Sequence, residues 1–229
     1  SSWPARATLP TFLSKGEEIV FLRRSAYTAM AVGLMLGSLT ACSNDEQAVS
    51  ESPDTSAAPA DLAWRNVAGL QVPTSSTDGP ARTSPPEGYT HTPQGAALAA
   101  ANGQAALATA PDSNWPEVVR VVTAPGPGRD QWAQARALMS VSGAVDESVA
   151  STFSGFKIAD YSDEQAVVLL ATTTPATVPA AEPLLTAYPV QLAWTGGDWK
   201  LVLPTQDDNI DAAEIDSLDG FTEWDEDDQ

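Results

Sequence analysis

Apolar positions change their period three times along this chain, and each change marks a different kind of element. From Ala26 to Leu39 they form an unbroken run, too continuous for an amphipathic surface helix. From Thr92 the sequence is Ala-rich. Thr92 stands as helix N-cap and Pro93 at the first helical position, which predicts a helix to about Ala108 with Leu98, Ala101, Ala105 and Leu107 on its apolar face. Gly103 within it marks a weak point or close packing. Trp132, Ala135, Leu138 and Met139 recur at three- and four-residue spacing and predict a second helix over about 129–140. Beyond Gly143 the period falls to two. Strands are expected at 153–161 and 166–172 around a turn at Ser162-Asp163-Glu164, and again at 188–194 and 199–203. The last pair flanks Thr195-Gly196-Gly197-Asp198, whose glycines supply the positive φ of a tight hairpin. Helices followed by an antiparallel meander define an α+β domain, expected over 62–205.

The first apolar run has a recognisable setting. Arg23-Arg24 precede it, Leu39-Thr40-Ala41-Cys42 ends it, and Ser43-Asn44-Asp45-Glu46 follows, the order of an export signal. Its roughly 14 residues span only about 21 Å as a helix, short of the roughly 30 Å hydrocarbon core of a bilayer. The four residues ending at Cys42 resemble the lipobox of bacterial lipoproteins. That resemblance implies diacylglycerol on the Cys42 thiol, cleavage between Ala41 and Cys42, and a membrane anchor of two or three acyl chains on the extracytoplasmic face. The plainer alternative is a signal peptide with an incidental cysteine. Residues 20–41 are thus read as signal peptide. Residues 1–19, with Pro4, Pro10, Lys15, Glu17 and Glu18 and no initial Met, are expected to be untranslated, with Val20 as the start.

Composition then sorts the remainder. Residues 42–61 are rich in Ser, Ala, Pro, Asp and Glu with hardly a large apolar side chain, so a disordered tether is expected. Residues 206–229 hold eleven Asp or Glu and no Lys or Arg, which predicts a solvated, self-repelling acidic tail. Ile215, Leu218, Phe221 and Trp224 could still give that tail an apolar stripe that docks on the domain or a partner. Asp207, Asn209 and Asp211 begin like a calcium loop, but Ala212 replaces the turn glycine and Leu218 the closing Glu, so no calcium site is expected. The net charge of −19 over 229 residues opposes nucleic-acid binding. One cysteine and one histidine exclude an intrachain disulfide and a multi-ligand zinc site. No cofactor or catalytic motif of the common kinds occurs.

The element order resembles the NTF2-like fold, with N-terminal helices packed into the concavity of a curved sheet. The hairpin from Val190 through Gly197-Asp198-Trp199 to Leu201 carries the likeness. Residues 64–204 also look like a group of uncharacterised exported actinobacterial proteins often encoded with conjugative elements, especially at Thr77-Asp78-Gly79-Pro80 and Gly88-Tyr89-Thr90-His91-Thr92-Pro93-Gln94-Gly95-Ala96-Ala97. Candidate site residues are few. His91, as the sole imidazole, could act as a base oriented by Asp78, or could simply hydrogen-bond the backbone at the helix start. Trp64, Trp115, Trp132, Trp194 and Trp199 could line a ligand pocket or form core. Asp198 is assigned to its turn, and Lys157 and Lys200 to exposed strand faces. The expected function is a non-enzymatic envelope lipoprotein that docks with other envelope proteins, which the resemblance implies are those of a conjugative apparatus. Alternatives are a ligand-binding lipoprotein using the NTF2-like pocket and a small hydrolase or isomerase using Asp78 and His91.

Overall fold

Among the described residues, two hairpins precede the first helix. In the first, β1 (Leu62–Val67) pairs with β2 (Leu70–Ser75) through a two-residue turn in which Ala68 and Gly69 both take positive φ, 52° and 94°. The computed structural model from which this fold is drawn describes residues 52–141, 145–178, 181–208 and 210–224. Contacts group the chain into Ser1–Val49 and Ser50–Gln229, and all the described residues belong to the second unit. Pro73 lies inside β2, which is tolerated because β2 pairs only with β1 and needs no N–H on its free edge. A shorter hairpin, β3 (Arg82–Thr83) with β4 (Pro86–Glu87), follows. The helices are therefore not N-terminal in the domain, as the sequence had suggested. An Ala-Gly turn and a strand proline concealed the hairpins ahead of them.

Helix α1 (Pro93–Thr109) begins as expected, the Thr92 hydroxyl accepting from the Gly95 amide at 3.0 Å. Its Ala-rich surface is buried nearly all round, which makes it the central element of the core. Gly103 marks close packing: a Cβ there would lie 2.3 Å from Leu201 Cδ1. Helix α2 (Trp115–Val122), to which no sequence signal pointed, buries Val118, Val119, Val121 and Val122; four β-branched residues in eight disguise a helix. Helix α3 (Pro127–Arg136) stops short of the expected Ser140, and Leu138 and Met139 lie beyond it, 89% and 59% exposed. The cause is Arg136. Its buried guanidinium donates to Met139 O at 3.0 Å, Ala110 O at 2.9 Å and Asp112 Oδ1 at 2.8 Å, and lies over the Trp115 ring.

The meander matches its expectation closely. Strands β5 (Thr152–Tyr161), β6 (Gln165–Thr174), β7 (Leu184–Thr195) and β8 (Asp198–Val202) are antiparallel neighbours in that order. Phe156, Val168, Leu170, Val190, Leu192 and Leu201 face α1, and the fold is α+β.

The acidic C-terminal segment departs from its expectation through residue 224. Strand β9 (Ala213–Glu214) pairs with β7, and β10 (Thr222–Glu223) pairs with β5, so the segment touches both sides of the sheet. Four strand spacings need about 19 Å. The eight residue-to-residue steps from Glu214 to Thr222 reach at most about 27 Å, so the crossing is nearly direct. Register puts Ile215 and Phe221 on the face away from α1, beside the small-residue row Gly155, Ala171 and Ala187. Trp224 is buried, its ring centroid 4.5 Å from that of Phe156. Burial of one indole and pairing at both edges outweigh carboxylate repulsion, which is weak between exposed, screened charges. At the other end the domain begins before Leu62. Pro59 is buried, Gln94 Nε2 donates to Asp54 O and Ala57 O, and Thr222 Oγ1 donates to Ser56 O.

Candidate functional site

Where the start of α1 meets the β5–β6 and β7–β8 turns, four rings converge. Trp194 and Trp199 are cross-strand partners in the hairpin whose Gly196 and Gly197 adopt φ of 64° and 78°. Their rings meet edge to face at 5.3 Å. Thr92 and Pro93 fix the entry to α1, and this places the preceding His91 flat on Trp194, centroids 3.9 Å apart and planes within 8°. Tyr161, at the end of β5, packs 5.8 Å from Trp199 and donates its hydroxyl to His91 O. Trp199 is the buried floor, its Nε1 donating to Thr90 O at 3.1 Å; His91 is exposed. His91 Nε2 lies 2.6 Å from Asp163 O. A carbonyl only accepts, so Nε2 carries hydrogen there. The exposed Asp163 and Glu164 form no ion pair among the described residues. Partial burial and the Asp163 charge raise the Tyr161 phenol's pKa. The cluster is a half-open aromatic surface beside two free carboxylates, suited to holding a cation or a planar group.

Two buried aspartates hold the loop that carries His91. Asp78 accepts from Thr90 Oγ1 at 2.8 Å and from the Ala60 amide at 3.2 Å, while its carbonyl accepts from the Thr90 amide. Asp198 accepts from the Gly88, Tyr89 and Trp199 amides, each at 3.0 Å, and from Lys200 Nζ at 2.9 Å. A carboxylate removed from water persists only when its lone pairs are so satisfied.

The structure brings together His91, Trp194 and Trp199 but not His91 and Asp78, whose carboxylate is committed to the Ala60–Thr90 staple. Asp198 does more than shape its turn, and Lys200 is its half-buried partner rather than an exposed strand residue. The tryptophans do not form one cluster: Trp115 and Trp132 pair separately at 6.1 Å, and Trp64 is partly buried against the core. Tyr161 and Asp163 were not singled out by sequence; the cross-strand register of a turn already expected was the signal that could have found them. Ala41 and Cys42 lie outside the described residues.

The space between α1 and the sheet is filled: Leu98, Leu170, Leu192, Trp199 and Leu201 are all under 2% exposed. Two depressions lie elsewhere. One, of about 460 Å³, is bordered by Pro125, Arg129, Gln191, Leu203 and Asp208. The other, of about 160 Å³, lies between the N-terminal hairpins and α1. Among the described residues no three His, Cys, Asp or Glu are grouped to hold a metal, and no helix is long and apolar enough to cross a membrane.

No curated protein and no solved structure matches the chain. A protein family does match residues 36–223, from ahead of Cys42 through β10, and by that match the chain belongs to the family described as Domain of unknown function (DUF8175).

Proposed function

We propose that this protein is an extracytoplasmic lipoprotein, anchored through acylated Cys42, whose domain is a non-enzymatic docking module of the cell envelope. The observation that carries the docking reading is the exposed His91–Trp194 stack beside Asp163 and Glu164, set over a helix–sheet interior that is already filled. Such a surface accepts a Lys- or Arg-bearing segment of another protein, by cation–π contact with the rings and charge pairing with the two carboxylates. The anchor reading rests on the Arg23-Arg24 leader and on Leu39-Thr40-Ala41-Cys42, which lies inside the residues matched by the family. The fold is read as NTF2-like from α1 packed along the antiparallel meander, with the usual pocket occupied by side chains. A conjugative apparatus is the proposed setting, on the resemblance carried by Thr77–Pro80 and Gly88–Ala97.

The test combines both halves. Metabolic labelling with an alkyne fatty acid is expected to mark the native chain and not Cys42→Ala. A photo-crosslinking side chain at Thr195 is expected to capture an envelope protein at low salt, with loss at high salt and in His91→Ala; the same group at Met139 captures none. Equal label on both chains, or identical adducts from positions 195 and 139, would overturn the respective half.

A further inference from the structure

The aromatic surface holds its one histidine more firmly than an exposed side chain requires. One face of the imidazole lies on Trp194, centroids 3.9 Å apart and planes within 8°. Its Nε2 edge donates to Asp163 O at 2.6 Å, and the residue's carbonyl accepts from the Tyr161 hydroxyl. Trp199 is 5.6 Å from His91 and 5.3 Å from Trp194, steeply inclined to both. Being nearly equidistant from the two stacked rings, it flanks the stack and does not cap it. With one face, one edge and one flank taken, the exposure of His91 falls on its opposite face. A ring fixed in this way has already lost its rotamer freedom, so a flat group laid on it meets no further ordering cost.

The charges beside the ring say what kind of flat group fits. Asp163 and Glu164 are exposed and form no ion pair among the described residues, and Lys200 on the adjoining hairpin is committed to Asp198. Asp163 reaches the ring with its carbonyl, which leaves its carboxylate for another partner. A nucleotide could stack, but its phosphates would be repelled by a chain of charge −19. A planar cation satisfies both the open face and the carboxylates.

We infer that this surface is a slot for an arginine side chain of the docking partner, the guanidinium lying on the open face of His91 as the third layer of a Trp194–His91–arginine stack. The inference rests on the docking reading above and narrows it to one residue type. Guanidinium is flat, weakly hydrated and edged with N–H donors that fork onto a carboxylate, so stacking and pairing with Asp163 or Glu164 occur together. The lysine ammonium is a compact, strongly hydrated charge that has no plane to stack and keeps its water at an exposed site. His91 and Trp194 therefore set specificity, and the carboxylates attract the cation.

Selective isotope labelling of histidine gives a single imidazole signal, because the chain has one histidine. The full chain in detergent micelles, so labelled, is titrated with blocked Gly-Arg-Gly, Gly-Lys-Gly and Gly-citrulline-Gly peptides. The arginine peptide is expected to move the signal saturably, the lysine peptide to bind about fivefold more weakly, and citrulline, planar but uncharged, about tenfold more weakly. Asp163→Asn combined with Glu164→Gln is expected to weaken the arginine peptide about tenfold at unchanged Tm, since the carbonyl that holds His91 is retained. Equal affinity for the arginine and lysine peptides would overturn the slot and leave a surface that pairs charge alone. Equal affinity for arginine and citrulline, native affinity in the double variant, or an unmoved signal with every peptide at about 20 mM would overturn it as well. The docking reading is decided separately by the crosslink from position 195, so either can fail alone.

Discussion

The two faces of the meander are covered by opposite means. One carries Phe156, Val168, Leu170, Val190, Leu192 and Leu201 against the regular helix α1, in one cluster of buried side chains. The other presents the small residues Gly155, Ala171 and Ala187 to an irregular, acidic segment pinned by two-residue strands, whose Trp224 reaches round the β5 edge to Phe156. The first face is stabilised by the amount of apolar area removed from water, the second by a few contacts that position a chain otherwise ill suited to burial. The difference teaches that net charge does not decide whether a segment is bound. Pairing at two edges and one aromatic anchor suffice.

The comparison can be broken on the helix side first. Leu170→Ala removes a fully buried side chain from the helix-facing side and is expected to lower global stability by about 4 kcal/mol, read as a shift in urea midpoint at constant m-value. In the C-terminal segment, Trp224→Ala removes the indole that anchors it to Phe156 and is expected to lower stability by about 3 kcal/mol. It should also leave a signature Leu170→Ala lacks: faster amide exchange at the outer edge of β5 before the interior strands exchange. Simultaneous exchange of all strands in both variants would mean the two faces form one cooperative unit.

The smallest effect concerns Tyr89, packed in the core with its hydroxyl unpartnered. Burial, reinforced by the Asp198 charge, holds its phenol protonated well above the ordinary value, and burial does the same for Tyr188. The unfolded chain therefore releases these protons first, and stability falls as pH rises past about 10, with no contribution below it. Tyr89→Phe is expected to raise stability at neutral pH by about 1 kcal/mol, since it removes a buried hydroxyl that has no partner. It should make the alkaline decline shallower; an unchanged slope in a pH series of denaturant midpoints would contradict the assignment.

Legibility followed the same division. Helix α1 was readable because Thr92-Pro93 is a local start signal, and β5–β8 because side chains alternate and Gly196-Gly197 can only turn. Hairpin β1–β2 was not, because Pro73 is acceptable solely on an edge strand and edge status is tertiary information. The end of α3 was set by Arg136 reaching Ala110, a partner 26 residues away, so the apolar spacing through Leu138 and Met139 misled. Of the aromatic site, the Trp194–Trp199 pair follows from hairpin register. Its union with His91 depends on how α1 enters the fold, and Asp78 was a plausible but mistaken neighbour of the imidazole.

The hydrogen bond from Thr222 to Ser56 joins the two ends of the domain at one point, and Gln94 ties the same entry segment to α1. A pull arriving along the residues before Ser52 is thus divided at once between the C-terminal strap and the start of the central helix. That helix start also carries His91, so load entering at Ser52 arrives three residues from the His91–Trp194 stack, and the aromatic surface shares the force with the strap.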